Sequence, residues 1–251
     1  MTVLRRLERA LIGSLARDRE CIDCGPFRLL LNRSSDMIWS NYAVPTRDGF
    51  DLGSVRAMIE AFEAKRRRPR LEFTLELWPG LPPALVAAGF ELEAEQPTMV
   101  CLAAGFQPRR SPEVSVELLA ADGDVETFLR IADSPFGMPS QEIAAGRVQG
   151  TRDSIAKGVW VMAVGSIGGA AAGVGCINPF DGVCELAGIG TLDAFRRLGV
   201  ASSVSTFLLE KFFADGGEIA WLSAGDDTAK AVYERLGFRA VATRVNYSGP
   251  G

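Results

Sequence analysis

The 251-residue sequence contains no histidine. A Ser-His-Asp triad, a Cys-His pair, a histidine base and histidine zinc ligands are therefore excluded, and acid–base chemistry falls to Glu, Asp, Tyr, Cys or Lys. No apolar run reaches the roughly 18 residues that suggest a membrane-spanning helix, so we expect no membrane span. The formal net charge of −4 shows no excess of basic residues and argues against a general nucleic-acid-binding protein.

Cysteine is sparse, and its five residues are an odd number, so the sequence does not indicate a disulfide framework. Reduced thiols in the cytoplasm are the simplest interpretation. Cys21 and Cys24 form a single C-x-x-C without a second pair, and both a metal or redox role and an inert pair of buried thiols remain open. The leucines of the N-terminal segment have helical spacing but are interrupted by charges, unlike the apolar core of a signal peptide.

The composition is that of an ordinary globular protein, with 47% hydrophobic and 23% charged residues. Its length fits one large domain or two small ones. The polar segment Ala103–Glu113 contains two prolines and a glycine, which is typical of a linker. We therefore predict two domains, residues 1–105 and 106–251.

Hydrophobic periodicity in the second half predicts the element order β-α-α-β-β-β-α-β-α-β and hence a mixed α/β fold. Glycine-containing segments at 165–169 and 178–182 are predicted to form hairpin turns between the middle strands. The next strand has glycines at Gly188 and Gly190, which often mark a bulge or a close approach to a ligand. A turn and an apolar helix follow it, and the unpaired N–H groups at such a helix start favour a phosphate.

Two motifs lie in this half of the chain. Arg196, Gly199 and Ala201 form Arg-x-x-Gly-x-Ala, and Ala229, Tyr233 and Gly237-Phe238 form a second pattern that begins at Asp226. Together they resemble the R/Q-x-x-G-x-G/A and N-x-x-A-x-x-x-Y-x-x-x-G-F signatures of the GNAT superfamily of acyl-CoA N-acyltransferases. Asp226 occupies the position where that family usually has asparagine. The resemblance covers about residues 114–247, and the predicted element order is that of the GNAT fold.

This resemblance implies acetyl-CoA as co-substrate, direct attack by an amine without a covalent enzyme intermediate, and no metal. The strand residues Ile189, Gly190 and Thr191 would pair with the pantetheine arm, with the N–H of Ile189 as oxyanion donor. Asp226 would make a further polar contact. The pyrophosphate would be held by the turn and helix start, namely Arg196, Arg197, Leu198, Gly199, Val200, Ala201 and Ser202.

The resemblance also suggests two catalytic side chains. Tyr233 is the expected general acid for the departing sulfur, although an aromatic residue at the edge of the core is the alternative. Glu185, on the strand before the turn, is the candidate general base, directly or through water. A solvated or substrate-binding carboxylate is the alternative for Glu185. A nucleophilic Cys184 is a further but weaker hypothesis.

The first half resembles a degenerate copy of the same unit. Gly53 precedes Glu72 by 19 residues, the spacing that separates Gly199 from Glu218, and Gly89-Phe90 corresponds to Gly237-Phe238. The first spacing aligns Asp51 with Arg197 and Trp39 with Glu185, and the Gly-Phe pairs align Leu85 with Tyr233. An aspartate would repel a phosphate and would instead cap a helix. The first domain would then have a packing role, unless the repeat is a coincidence of βαβ patterning.

The leading functional hypothesis is an acetyl-CoA-dependent N-acetyltransferase that modifies an amine of a small molecule, or of a protein. It would be cytoplasmic, and either a monomer with two pseudo-dimeric domains or a homodimer. The Pro135–Pro139 loop is expected to help shape the acceptor pocket. The alternatives are a non-catalytic module that binds acyl-CoA or a metabolite, and a purely structural domain.

Overall fold

The computed structural model describes residues 1–134 and 143–250, and the chain falls into two compact units. One unit comprises Met1–Thr98 with Ala240–Gly251, and the other comprises Met99–Arg239. The division therefore differs from the predicted boundary at 105/106. It falls within a strand, and the C-terminal residues belong to the first unit rather than the second.

The first unit is built mainly from consecutive elements at the start of the chain. They are helix α1 (Val3–Leu15), strands β1 (Arg19–Cys24), β2 (Phe27–Asn32) and β3 (Asn41–Pro45), helix α2 (Leu52–Ala64), strand β4 (Arg70–Thr74), helix α3 (Leu81–Ala87) and strand β5 (Glu91–Leu102), whose last residues belong to the second unit. Apolar side chains, among them Phe27, Phe62 and Phe73, form its core.

The second half of the chain has the predicted element order. Its elements are β6 (Ser115–Leu118), α4 (Val125–Asp133), α5 (Ala145–Ala156), β7 (Val161–Ile167), β8 (Ala170–Phe180), β9 (Val183–Thr191), α6 (Val200–Ala214), β10 (Ile219–Ser223) and α7 (Asp227–Arg235), after which β11 (Arg239–Ser248) returns to the first unit. Its strands lie in the order β6-β7-β8-β9-β10, and the end of β5 follows β10. All pairs from β6 to β9 are antiparallel, whereas β9 and β10 are parallel.

Two stretches of the chain repeat one succession of elements. From α1 to β5, and again from α5 to β11, the order is α-β-β-β-α-β-α-β. The pairing repeats as well, because β1, β2 and β3 are antiparallel neighbours and β3 pairs with β4 in parallel. This agreement of order and pairing supports an internal repeat over a coincidence of pattern.

The structure corrects the alignment between the repeats. Helix α2 begins after Asp51 and helix α6 begins after Gly199, which gives an offset of 199 − 51 = 148 residues. The two Gly-Phe pairs give the same offset, 237 − 89 = 148. Asp51 therefore corresponds to Gly199 rather than to Arg197. Asp51 caps α2 as predicted, since its side chain accepts a hydrogen bond from the Ser54 N–H. Trp39 lies in a 3₁₀ turn and not on a strand, so its alignment with Glu185 was wrong.

The C-terminal strand β11 completes the first unit. It pairs antiparallel with β4, and the register places Val245 opposite Phe73. The predicted second domain, residues 106–251, would have retained this strand. Its partner could not be inferred from the sequence because a strand's local pattern does not identify which distant strand it pairs with.

Glycines on β7 and β8 allow α6 to pack closely on the sheet of the second unit. A Cβ atom on Gly173 would lie 2.5 Å from Cγ1 of Val200, and one on Gly165 would lie 2.7 Å from Cγ2 of Val204. Contacts this short cannot be made by a larger residue without displacing the helix. The strand glycines therefore fix the position of α6, whose N-terminus carries the predicted phosphate turn.

Two turns are tighter than the sequence suggested. Strand β7 continues to Ile167, and β8 continues to Phe180, so that Asp181 and Gly182 alone connect β8 to β9. Both residues have positive φ, 51° and 73°, as a two-residue hairpin turn of this kind requires. Asn178 was predicted to lie in the turn, but it lies in β8 and is buried. Among the helices that the structure describes, none is long and apolar enough to cross a membrane.

Candidate active site

Strands β9 and β10 separate partway along their length. Their register contains only three pairs, the last of which joins Glu185 to Trp221. Strand β9 continues beyond this point to Thr191. On the side facing β10, residues 186–191 have no strand partner within the described parts of the chain, so their backbone groups are available to an extended ligand. This is the segment predicted to pair with pantetheine.

A β-bulge interrupts β9 within that segment. Cys176 pairs with Ala187 and Val174 pairs with Gly190, so β9 has one residue more than β8 between these pairs. Gly188 has φ of 60°, which the bulge requires and which glycine adopts without strain. The bulge lies directly before Ile189, the predicted oxyanion donor. A bulge leaves backbone groups outside the regular ladder, which is what such a donor needs.

Gly190 and Thr191 complete this part of β9. A Cβ atom on Gly190 would lie 2.6 Å from the carbonyl oxygen of Ile131, so only glycine allows helix α4 to approach so closely. The Thr191 hydroxyl is buried and has no hydrogen-bond partner among residues 1–134 and 143–250. An unpaired buried hydroxyl is unfavourable and is readily satisfied by a polar ligand. The position of this hydroxyl fits the predicted pairing of the strand with the pantetheine arm of the coenzyme, which carries amide groups.

The turn before α6 has a backbone conformation that fits the predicted phosphate site. Arg197 and Gly199 both have positive φ, 63° and 83°, and the helix begins at Val200. The first hydrogen bond of this helix runs from the Ser203 N–H to the Gly199 carbonyl at 2.9 Å. The N–H groups of Val200, Ala201 and Ser202 therefore have no acceptor within the helix, and the helix dipole adds partial positive charge there.

The side chains of the turn are oriented toward solvent. Arg196, Arg197 and Leu198 are exposed, and Arg196 forms a 2.8 Å ion pair with Asp193. The two side chains of that pair are 57% and 87% exposed. Such surface pairs contribute little to stability, so Arg196 can exchange Asp193 for a phosphate at small cost. The predicted residues of the turn are thus brought together in one place.

The segment predicted as a linker supports this turn. The Ser111 N–H donates to Oγ of Ser203 at 2.9 Å, and the Arg109 N–H donates to Oγ1 of Thr206, also at 2.9 Å. All four residues belong to the second unit. The supporting roles of Ser111, Ser203 and Thr206 could not be predicted from the sequence, because a polar segment with prolines has the same composition whether it is free or packed.

Glu185 lies at the last pair before β9 and β10 separate. It is half-buried, and it pairs with Asn178 on β8 as well as with Trp221 on β10. Directly paired residues on neighbouring strands project from the same face of a sheet. The Glu185 carboxylate therefore lies in a row with the side chains of Asn178 and Trp221. This row is on the opposite face of the sheet from Cys184. This position suits a general base or a substrate-binding carboxylate, and both interpretations remain.

Tyr233 lies on α7 and is 9% exposed. Its ring contacts Phe238 edge to face, with centroids 5.9 Å apart. Burial raises the pKa of its phenol far above the usual value, and the nearby carboxylate of Asp226 acts in the same direction. The phenol therefore remains protonated at any physiological pH, as a proton donor must. The same burial also fits an aromatic residue that only packs in the core.

Asp226 is engaged by the protein itself. Its carboxylate accepts a hydrogen bond of 2.7 Å from the Ala229 N–H and thereby caps α7. This local role accounts for an acidic residue at the helix start. The predicted contact between Asp226 and the coenzyme stays a prediction.

The cysteines do not have the environment of nucleophiles. Cys184 is fully buried beside α6, and burial raises the pKa of its thiol well above the ordinary value. A thiol that stays protonated is a poor nucleophile. Cys21 and Cys24 are separate free thiols whose pKa burial also raises, and their odd spacing on β1 directs them to opposite faces. Among the described residues, no three His, Cys, Asp or Glu side chains group as metal ligands.

Asn178, which pairs with Glu185, was predicted to lie in a turn. Asn, Pro, Asp and Gly together resemble a loop, but Asp181 and Gly182 suffice for the turn. Pro179 is tolerated in β8 because β7 pairs with β8 only as far as Ile177. The predicted Pro135–Pro139 loop lies outside the described residues.

Comparison with known proteins agrees with this geometry. Residues 126–238 match the family model described as the acetyltransferase (GNAT) family. The chain therefore carries a GNAT-family domain in its second unit. No curated protein matches the sequence.

Solved structures extend the likeness to the whole chain. A GCN5-related N-acetyltransferase from Kribbella flavida is 27% identical, with a TM-score of 0.80 over 100% of this chain and 97% of that one. A GCN5-related N-acetyltransferase from Sphaerobacter thermophilus is 15% identical, with a TM-score of 0.59 over 99% and 92%. A tandem GNAT protein from the clavulanic acid biosynthesis pathway is 13% identical, with a TM-score of 0.59 over 90% and 79%. The chain thus has the mixed α/β GNAT fold, and the last two likenesses concern the fold alone.

Proposed function

We propose that the second unit is an acetyl-CoA-dependent N-acetyltransferase that transfers an acetyl group to the amine of a small molecule. The observation that carries this proposal is the course of β9. This strand separates from β10 beyond Glu185, contains a bulge at Gly188, and leads to the positive-φ turn at Gly199. An extended ligand ending in a pyrophosphate matches the unpaired strand edge followed by the helix N-terminus.

The residues that would hold acetyl-CoA fit its chemistry. Residues 196–202 offer the pyrophosphate backbone N–H groups, the helix dipole and arginine side chains. The edge of β9 from Ile189 to Thr191 offers peptide groups and an unpaired hydroxyl to the amides of pantetheine. When bound, the coenzyme supplies an acetyl group activated as a thioester.

The remaining chemistry falls to three groups of this chain. Glu185 removes a proton from the amine, directly or through water, because a protonated amine cannot attack. The Ile189 N–H donates a hydrogen bond to the acyl oxygen as negative charge develops on it. The Tyr233 phenol, kept protonated by its buried environment, donates a proton to the leaving sulfur. No histidine and no covalent enzyme intermediate is needed.

The first unit would serve as a degenerate GNAT-like domain with a packing role. In its counterpart of the phosphate turn, Asp51 occupies the position of Gly199, and its carboxylate caps the helix N-terminus that a phosphate would need. The protein would be cytoplasmic, and either a monomer with two similar domains or a homodimer. A protein amine is a second class of acceptor.

A non-catalytic module that binds acyl-CoA is the second candidate function. The burial of Tyr233 within the apolar core beside Phe238 favours it, because such a tyrosine also has a purely structural use. In that case the coenzyme would bind at the same turn, but no thiol would be released when amines are added.

Calorimetric titration with acetyl-CoA and with free coenzyme A tests the coenzyme site. We expect micromolar affinity for both ligands, followed by release of thiol when suitable amines are supplied. Binding without turnover over a broad set of amines would favour the binding module. Absence of binding at millimolar ligand would overturn the assignment of the turn and leave a structural domain.

A further inference from the structure

Asn178 is a buried polar residue whose hydrogen-bonding groups are not used by the described protein. The residue is 2% exposed, and neither Nδ2 nor Oδ1 of its amide has a hydrogen-bond partner among residues 1–134 and 143–250. Native proteins pair nearly all such groups, since leaving a buried donor and acceptor unmatched is destabilising. An amide left in this state therefore requires an explanation.

Asn41 in the first unit provides a contrast. It is equally buried, at 2% exposed, but its Nδ2 donates to the carbonyl oxygens of Ser35 and Met37, and its Oδ1 accepts from the Asn32 N–H. Asn41 is thus a structural asparagine that holds a turn together. Asn178 has no comparable role within the described chain.

The position of Asn178 connects it to the proposed reaction centre. It pairs directly with Glu185 across β8 and β9, and Glu185 pairs in turn with Trp221. Directly opposite residues have Cβ atoms about 4.5–5.5 Å apart and project from the same face. The unused amide and the Glu185 carboxylate therefore share one small region, at the point where β9 and β10 separate.

Resting on the proposed function, we propose that Asn178 binds the acyl acceptor and selects an amine that carries an oxygen close to its nitrogen. Oδ1 accepts a hydrogen bond from the amine, beside the negative charge of Glu185, which favours a cationic group. Nδ2 donates to a hydroxyl or carbonyl oxygen of the same molecule. A 1,2-amino alcohol or an amino amide satisfies both halves of the amide at once, whereas a simple alkylamine satisfies only one.

Thermal unfolding of two matched variants tests whether the amide is unused in the folded protein. Replacing an unpaired buried amide by an apolar group of similar shape is neutral or stabilising, whereas removing a paired one is not. We expect Asn178→Leu to keep or raise the Tm and Asn41→Leu to lower it by roughly 4 °C or more. A loss of Tm in Asn178→Leu equal to that in Asn41→Leu would overturn the proposal, because the amide would then have a structural partner.

Ethanolamine and n-propylamine, which differ in one oxygen atom, test the selection of the acceptor. Equilibrium binding of each amine is measured on the protein saturated with free coenzyme A, and KM and kcat are measured with acetyl-CoA. We expect the wild type to bind ethanolamine roughly tenfold more tightly than n-propylamine, which is the effect of one additional hydrogen bond. The hydroxyl of ethanolamine would pair with Nδ2 of Asn178, which n-propylamine leaves unpaired. Asn178→Leu should abolish this preference and raise the KM for ethanolamine, while the Kd for coenzyme A stays unchanged.

The binding arm separates failure of this inference from failure of the proposed function. If the wild type binds ethanolamine preferentially and Asn178→Leu does not, the inference holds even where no thiol is released, and only the catalytic proposal fails. If thiol is released but the wild type shows no preference, or Asn178→Leu retains it, the inference is wrong and the proposed function stands.

Discussion

Gly199 packs against Ser111 so closely that a Cβ atom on Gly199 would lie 2.9 Å from the Cβ of Ser111. Ser111 cannot easily move away, because its N–H is bonded to Oγ of Ser203 on the first turns of α6. Gly199 also has φ of 83°, which an L side chain rarely adopts. Glycine is therefore required here both for the backbone conformation and for the lack of space.

Substitution of Gly199 tests the phosphate turn. We expect Gly199→Ala to lower the free energy of unfolding by about 1–3 kcal/mol and to weaken acetyl-CoA binding at least tenfold, because the turn must shift. Gly199→Glu adds a negative charge at the phosphate position and should abolish binding. Urea unfolding and calorimetric titration measure the two effects.

Gly216 provides the matched control for this substitution. It also has positive φ, 89°, but a Cβ atom there would meet nothing within 4 Å. Gly216→Ala should therefore show conformational strain alone and leave the Kd for acetyl-CoA unchanged. If Gly199→Glu retained full affinity, the turn would not be the coenzyme site.

Tyr233→Phe separates an acid from a core aromatic residue. The ring contact with Phe238 is retained, so we expect little change in stability and no change in coenzyme affinity. Loss of the phenol should lower kcat by about 10²–10⁴ if it protonates the leaving sulfur. Steady-state kinetics with a saturating amine measures this effect, and an unchanged kcat would leave Tyr233 with a packing role.

Glu185→Gln tests the proposed base. The amide keeps the size of the side chain but accepts no proton at neutral pH, so we expect kcat to fall by about 10²–10⁴ while the Kd for coenzyme A is retained. Glu117→Gln, on an exposed position of β6 in the same unit, is the control and should leave both constants unchanged. A rise in the amine KM with normal kcat would instead identify Glu185 as a residue that only binds the acceptor.

Features encoded within a few residues could be predicted from the sequence. Asp51 was correctly expected to cap a helix, since a cap depends on the side chain and the three residues after it. Gly188 within a strand pattern correctly indicated an irregularity, which the structure shows as a bulge. The element order from β6 to α7 likewise follows from local periodicity.

Features that depend on distant partners could not be predicted. Nothing in the pattern of β11 identifies β4 as its neighbour, and nothing in the polar segment around Ser111 indicates that it packs on α6. The position of Asn178 could not be predicted because Asn, Pro, Asp and Gly all favour turns, whereas the tight Asp181-Gly182 connection leaves Asn178 in the strand. The proposed acceptor residue thus appears only when the strand register is known.

The buried thiol of Cys101 predicts a loss of stability in alkali. Cys101 is 1% exposed, and burial raises its pKa from 9.0 to about 11. Between these two values the unfolded chain loses the proton and the folded protein keeps it. The contribution of the Cys101 thiol to the free energy of unfolding is therefore complete below pH 9. Above that pH it falls by about 1.4 kcal/mol for each pH unit until the folded thiol also titrates.

Urea unfolding of the wild type and of Cys101→Ala between pH 8 and about pH 10.5 checks this expectation. Cys176 and Tyr233 contribute equally to both proteins. Burial is the larger cause of the raised pKa of the Cys184 thiol and keeps it protonated in both folded proteins, although Cys101 also raises this pKa. The difference between the two proteins in how the free energy of unfolding changes with pH therefore reports on Cys101. We expect the variant to be less stable than the wild type at pH 8 because of the lost side chain, and the gap to narrow as the pH rises above 9. Cys21→Ala removes an exposed thiol and should leave most of the pH dependence of the free energy of unfolding unchanged. Parallel slopes for the wild type and Cys101→Ala would mean that the thiol titrates alike in the folded and unfolded chains, and that water reaches Cys101 in the folded protein.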